Sequence, residues 1–131
     1  MIEKFQLGTS SVNEFTDITE KIMDIISRSE VTEGICNVFI THTTVGVTIK
    51  ENADSDVKRD ILMELGKIVP FSDDYSHLEG NSAAHIKATL TGCSETLIIS
   101  RGRPLLGTWQ GIYFCEFDGP RERTVYVRVS S

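Results

Sequence analysis

Apolar residues recur along the chain with a period that changes from segment to segment, and those changes mark out its elements. Residues 1–9 read as a first strand ending at Gly8. Ile18, Ile22, Ile25 and Ile26 then fall at i, i+4, i+7 and i+8, which is one face of a helix. Asp17 followed by Glu20 resembles a capping box, so this helix is expected from near Asp17 to just before Val31. Gly34 opens a strand over 35–42, and 45–51 is another with β-branched residues on its apolar face. Asn52 or Asp54 caps a second helix with the stripe Val57, Ile61, Leu65 and Ile68, which Pro70 ends.

Residues 71–81 read as a long polar loop. Ser82 is expected to cap a short third helix through Leu90, with Ala83, Ile86 and Leu90 on its core face and Gly92 as its stop. Strands follow over 95–101, 110–117 and 123–130, the last two joined by the turn Asp118-Gly119-Pro120-Arg121. No internal repeat or linker interrupts the order βαββα-loop-αβββ, so residues 1–131 are expected to form one mostly antiparallel α+β domain.

Composition narrows the partners. The chain has 131 residues, is 40% hydrophobic and 24% charged, and carries a formal net charge of −6. That sign opposes nucleic acid as the main partner, because phosphate backbones need a basic footprint. The basic residues toward the C-terminus (Arg101, Arg103, Arg121, Arg123, Arg128) suit a small anionic ligand instead. Cys36, Cys93 and Cys115 are odd in number and widely spaced, which fits buried thiols in a reducing, cytoplasmic setting. No stretch approaches the roughly 20 apolar residues of a membrane span, so no membrane partner is expected.

The candidate chemistry centres on all three histidines, His42, His77 and His85, which lie in short polar clusters. His42 shares strand parity with Cys36, Val38 and Ile40, at the end of an apolar row. It is either a half-buried histidine bonded to Thr43 or Thr44, or a metal ligand that uses a threonine to orient its other nitrogen. His77 falls on the loop and His85 in the first turns of the third helix; folding the loop back over that helix brings the imidazoles together, with Gly80 allowing the turn. The helix N-terminus offers backbone N–H groups to a phosphate.

Glu51-Asn52-Ala53-Asp54 places carboxylates where a strand leaves the core, although Asp54 serves equally as a helix cap. If Thr43-Thr44 formed a tight hairpin, His42 and Glu51 would lie about 20 Å apart. Gly107-Thr108-Trp109-Gln110-Gly111 sets the single tryptophan between glycines, where it either stacks on a flat ring or fills the core. Arg101 and Arg103 are either a solvated pair or a phosphate clamp.

Three stretches carry a family resemblance: THTTVGVTIKENADSDVKRD, HLEGNSAAHIKATLTG and LGTWQGIYFCEFDGPRERTVYV. In order and spacing they resemble the YjbQ family. The resemblance implies a β-sandwich-like α+β fold assembled as a homotrimer, and a site where His42, His77 and His85 hold a divalent metal, zinc in the first place. It also implies a link to thiamine phosphate synthesis, which joins an aminopyrimidine diphosphate to a thiazole phosphate and releases pyrophosphate. In that setting Glu51 and Asp54 are candidate acid/base groups. Asn81 and Gln110 would orient a small phosphorylated substrate, Trp109 would stack on it, and Lys87, Arg101 and Arg103 would contact phosphate. A diphosphate usually recruits magnesium through oxygen ligands, whereas imidazoles suit zinc. A metal-dependent hydrolase and a non-catalytic metal- or ligand-binding trimer are the alternatives.

Overall fold

The computed structural model describes residues 2–131. Its elements run β1 (Ile2–Gly8), β2 (Glu14–Asp17), α1 (Thr19–Ser29), β3 (Glu33–Ile40), β4 (Val45–Glu51), α2 (Ser55–Ile68), α3 (Ser82–Thr91), β5 (Ser94–Ser100), β6 (Arg103–Pro104), β7 (Gln110–Glu116) and β8 (Glu122–Ser130). All pairings are antiparallel. They form a five-stranded sheet in the order β1-β8-β3-β5-β6 and a three-stranded sheet in the order β2-β7-β4. The chain thus forms the expected α+β domain of antiparallel sheets with three helices.

The core fills the space between the sheets. Cys36, Val38 and Ile40 of β3, Leu97 and Ile99 of β5, and Val125, Val127 and Val129 of β8 meet Val45, Val47, Ile112 and Phe114 from the facing sheet. Ile22, Ile25 and Ile26 of α1 join them. Each such side chain contributes about 1.5–3 kcal/mol through burial. The opposite parity of β7 faces outward from this core, and there Tyr113, Cys115 and Phe117 pack with Phe15, Ala84 and Ala88, flanked by Ile61, Leu62 and Leu65 of α2.

Several boundaries differ from the sequence pattern. The edge strand β2 is too short and too polar to show in the periodicity. Asp17 does not close a box with Glu20; its Oδ1 accepts from the amide and hydroxyl of Thr19, at 2.9 and 2.6 Å. β3 ends at Ile40, so His42 lies beyond it and is exposed. At α3, Asn81 holds the cap position without a side-chain cap bond, and Ser82 is already helical. That helix is also turned from the expected face: Ala83, Ala84, Lys87 and Ala88 are buried, whereas Ile86 and Leu90 are exposed. Close packing explains the turn, because a Cβ at Gly46 of β4 would sit 2.7 Å from the Gly92 carbonyl oxygen, and only small side chains fit so near an approach.

Most consequential is the path between strands. β3 and β4 belong to different sheets, so residues 41–44 cross between them rather than making a hairpin. The β7–β8 connection, which holds a cis Gly119–Pro120 bond, crosses in the same way. Val45 lies opposite Glu116, and Ile40 opposite Val125, so both crossings occupy one end of the sandwich.

Candidate functional site

Sequence parity builds a buried polar relay at this end. Glu116 continues the inward row Ile112 and Phe114, and Arg123 begins the inward row Val125, Val127 and Val129, so two charges face each other between the sheets. Arg123 Nε donates to Glu116 Oε1 at 2.8 Å and Nη2 to Oε2 at 2.6 Å. The Thr9 hydroxyl and the Asp118 amide also donate to this carboxylate, at 2.7 and 2.9 Å. Arg123 Nη2 further donates to Thr44 Oγ1 at 3.0 Å, and Thr44 Oγ1 lies 3.0 Å from His42 Nδ1. The Thr44 amide donates to the same Nδ1 at 3.2 Å. Thr44 is one of the two hydroxyl partners the sequence offered for His42, whereas Glu116 and the inward place of Arg123 were missed. The available signal was a charge at an inward position on each of two apolar strands.

Around this relay stand the other predicted residues of the histidine end. His77 and His85 meet edge to face with ring centroids 5.6 Å apart. They line a recess of about 390 Å³ with Tyr75, Ser76, Ser82 and Ile86. Asn81 donates from Nδ2 to Asp118 Oδ2 at 3.0 Å, and Arg121 Nη2 donates to the same oxygen at 2.8 Å. Asn81 Oδ1 is buried without a partner among the described residues. Partial burial holds His42 below its ordinary value, reinforced by the charges of Arg123 and Arg121 and opposed by Glu116, with His85 also acting on it. The amide donor set against Nδ1 favours the neutral ring. Lys87 is not among the groups that face solvent here: it is buried, donates to Asn13 Oδ1 at 3.1 Å, and burial lowers its ammonium below the ordinary range.

The remaining predicted residues gather at the opposite end. Glu51 pairs across from Gln110, six residues along β4 from Val45, or about 20 Å at roughly 3.3 Å per residue. Glu51 accepts from the amides of Ala53 and Asp54, and Asp54 caps α2 by accepting from Asp56 at 2.9 Å. Gln110 Oε1 accepts from the Gly107 amide at 2.8 Å. Gln110 also lines a groove of about 740 Å³ with Arg101, Arg103 and Thr108. Trp109 beside it is 63% exposed rather than tucked into the core. Within one chain, then, the histidines and the arginine–tryptophan group are separate clusters.

The implied metal can be tested against these donors. Two imidazoles bound to one tetrahedral zinc, with Zn–N of about 2.0–2.1 Å, place their ring centroids roughly 5 Å apart, close to the His77–His85 pair. His42 does not complete the set. The Thr44 amide can only donate, so Nδ1 of the neutral ring is bare and the proton sits on Nε2, the nitrogen a metal would need. Among the described residues no group of three His, Cys, Asp or Glu side chains is placed to hold a metal ion. A three-histidine zinc site does not fit one chain as folded.

These features define a small α+β sandwich domain whose polar cluster lies where two strand crossings meet. The chain belongs to the family described as UPF0047 protein YjbQ-like, whose family model matches residues 3–131. It is 53% identical to UPF0047 protein MJ1081 of Methanocaldococcus jannaschii over 98% of this chain and 94% of that protein. It is 44% identical to UPF0047 protein YugU of Bacillus subtilis, over 98% of each. Among solved structures, a YjbQ/UPF0047 protein of Clostridium acetobutylicum superimposes with a TM-score of 0.96 at 52% identity, covering 98% of this chain and 99% of that one. A YbjQ-like protein of Sulfolobus solfataricus gives 0.94 at 29% identity, over 98% and 95%.

Proposed function

We propose that this protein is an enzyme acting on a small phosphorylated substrate at the histidine end of the sandwich, with thiamine phosphate synthesis as its reaction. The observation that carries the reading is the concentration of His42, His77, His85, Arg121 and Arg123 at one end of a chain whose net charge is −6. In the proposed reaction the thiazole nitrogen forms the new C–N bond as the C–O bond to diphosphate breaks. Pyrophosphate leaves with the bonding pair. The developing negative charge needs donors already aimed at it. His42 Nε2–H and the Arg121 guanidinium supply them, while Asp118 and the buried Glu116–Arg123 pair fix their positions.

No step is routed through zinc, because the three histidines do not form a complete donor set within one chain; magnesium, an oxygen-binding ion, would enter with the diphosphate. Homotrimeric assembly is part of the same reading. It is supported by Ile35 and Ile98, which lie opposite one another on the outer face of the five-stranded sheet and are 45% and 58% exposed. A cytoplasmic setting is supported by three free cysteines, two of them buried. Among the described residues no helix is long and apolar enough to cross a membrane.

Mixing the aminopyrimidine diphosphate and the thiazole phosphate with purified protein tests the reaction. Thiamine phosphate should accumulate with the wild-type chain and fall at least about ten-fold with His85→Ala, the scale of a lost charge-assisted contact. Equal product with both proteins would remove the histidine end from the reaction.

A further inference from the structure

We infer that His42 serves as a hydrogen-bond donor to an anionic oxygen of a bound ligand, with Thr44 and Arg123 as its positioning residues, and is not a metal ligand. Every link in the relay has a fixed sense. Glu116 is an acceptor, so Arg123 donates to it. Arg123 has donors only, so Thr44 Oγ1 accepts its second Nη2 bond and must turn its own proton elsewhere. His42 Nδ1 lies within hydrogen-bond distance to receive it, at 3.0 Å. The Thr44 amide supplies a second donor to that nitrogen. Turning the ring over would set a C–H against both donors and forfeit two hydrogen bonds.

A histidine that binds metal through Nε2 normally donates Nδ1–H to a carbonyl or carboxylate. Here the polarity is reversed. The chain has placed a buried ion pair, itself weak evidence for stability, behind an exposed imidazole. What that pair secures is the tautomer: Nε2 carries the proton and bonds to none of the described residues. The ring borders a cavity of about 260 Å³ with Thr43, Val45, Ala88, Thr89 and Cys93. Arg121 and Arg123 bring positive charge toward the ring, opposed by their partners Asp118 and Glu116, and an Nε2–H donor beside two guanidiniums suits an anionic oxygen such as that of a phosphoryl group. This role is independent of which reaction the site performs.

Two-bond proton–nitrogen spectra of the nitrogen-15-labelled protein at neutral pH read the tautomer directly. His42 should show a protonated Nε2 and a bare Nδ1, and adding zinc should leave both nitrogens in place. A proton on Nδ1, or loss of the Nε2 proton on zinc addition, would overturn the assignment. Thr44→Ser should keep the wild-type pattern, and Thr44→Val, which loses the hydroxyl bond but keeps the amide one, should shift the Nδ1 resonance while the proton stays on Nε2; an Nδ1 resonance unchanged in the valine variant would break the relay. Inorganic phosphate should bind at least about ten-fold more weakly to His42→Phe than to wild type, and equal binding would refute the donor role.

Discussion

At the scale of residues, the most informative pair is Glu116 and Arg123, 0% and 5% exposed, which meet between two rows of aliphatic side chains. Burial alone would raise the Glu116 carboxyl, but the hydrogen bonds from Arg123, the Asp118 amide and Thr9 outweigh it and hold the group below the ordinary carboxylate range. A carboxyl lowered on folding contributes stability above its unfolded value, and that contribution is lost as pH falls toward the folded one. Replacing Glu116 with Gln should therefore cost about 3–5 kcal/mol at pH 7, because it strands a buried guanidinium. The gap between variant and wild type should narrow as pH drops below about 4. Urea unfolding across that range checks both statements, and a gap that stays constant with pH would contradict them. Strand parity offered a signal that both residues point inward, and it went unread. Their partnership was illegible, because it depends on two connections that switch sheets, and no local pattern distinguishes such a crossing from a hairpin.

Among elements, α3 shows what periodicity can and cannot decide. A helix capped by Ser82, running through Leu90 and stopped at Gly92 was legible; the structure has it over Ser82–Thr91, with Gly92 at a φ of 89° as a helix-ending glycine can take. Its orientation was not. Ile86 and Leu90 are the larger apolar residues, yet the helix turns Ala84 and Ala88 to the sheet because β4 approaches it so closely at Gly46. The Val47 amide bonding to the Gly92 carbonyl at 3.1 Å fixes that approach. A methyl group at position 46 would press on Gly92 and on the Thr91 hydroxyl. Gly46→Ala should cost about 1–3 kcal/mol, the usual range for overpacking, and push α3 outward with His85 on it. A lowered melting temperature together with shifted His85 ring resonances would bear this out. Unchanged stability would mean that the sheet yields instead of the helix.

Across the whole molecule, antiparallel α+β architecture followed from runs that alternate with period two and from helices that do not separate them regularly. The three histidines were legible as a group, and the fold brings His77 and His85 into contact. Glu51, Gln110, Trp109, Arg101 and Arg103 were equally conspicuous as polar or aromatic signals, but the ends of β4 and β5 and the start of β7 place them at the far end. Sequence proximity to a strand does not say which end of it faces the site; that is set by which strands cross between the sheets. The central claim is that ligand chemistry belongs to the end holding both crossings. Titrating inorganic pyrophosphate into the labelled protein, and following backbone and side-chain resonances residue by residue, tests it most directly. Shifts concentrated at His42, His77, His85, Asn81 and Arg121, with Trp109, Arg101 and Arg103 unmoved, are the expected result; shifts confined to the arginine–tryptophan groove would contradict the account.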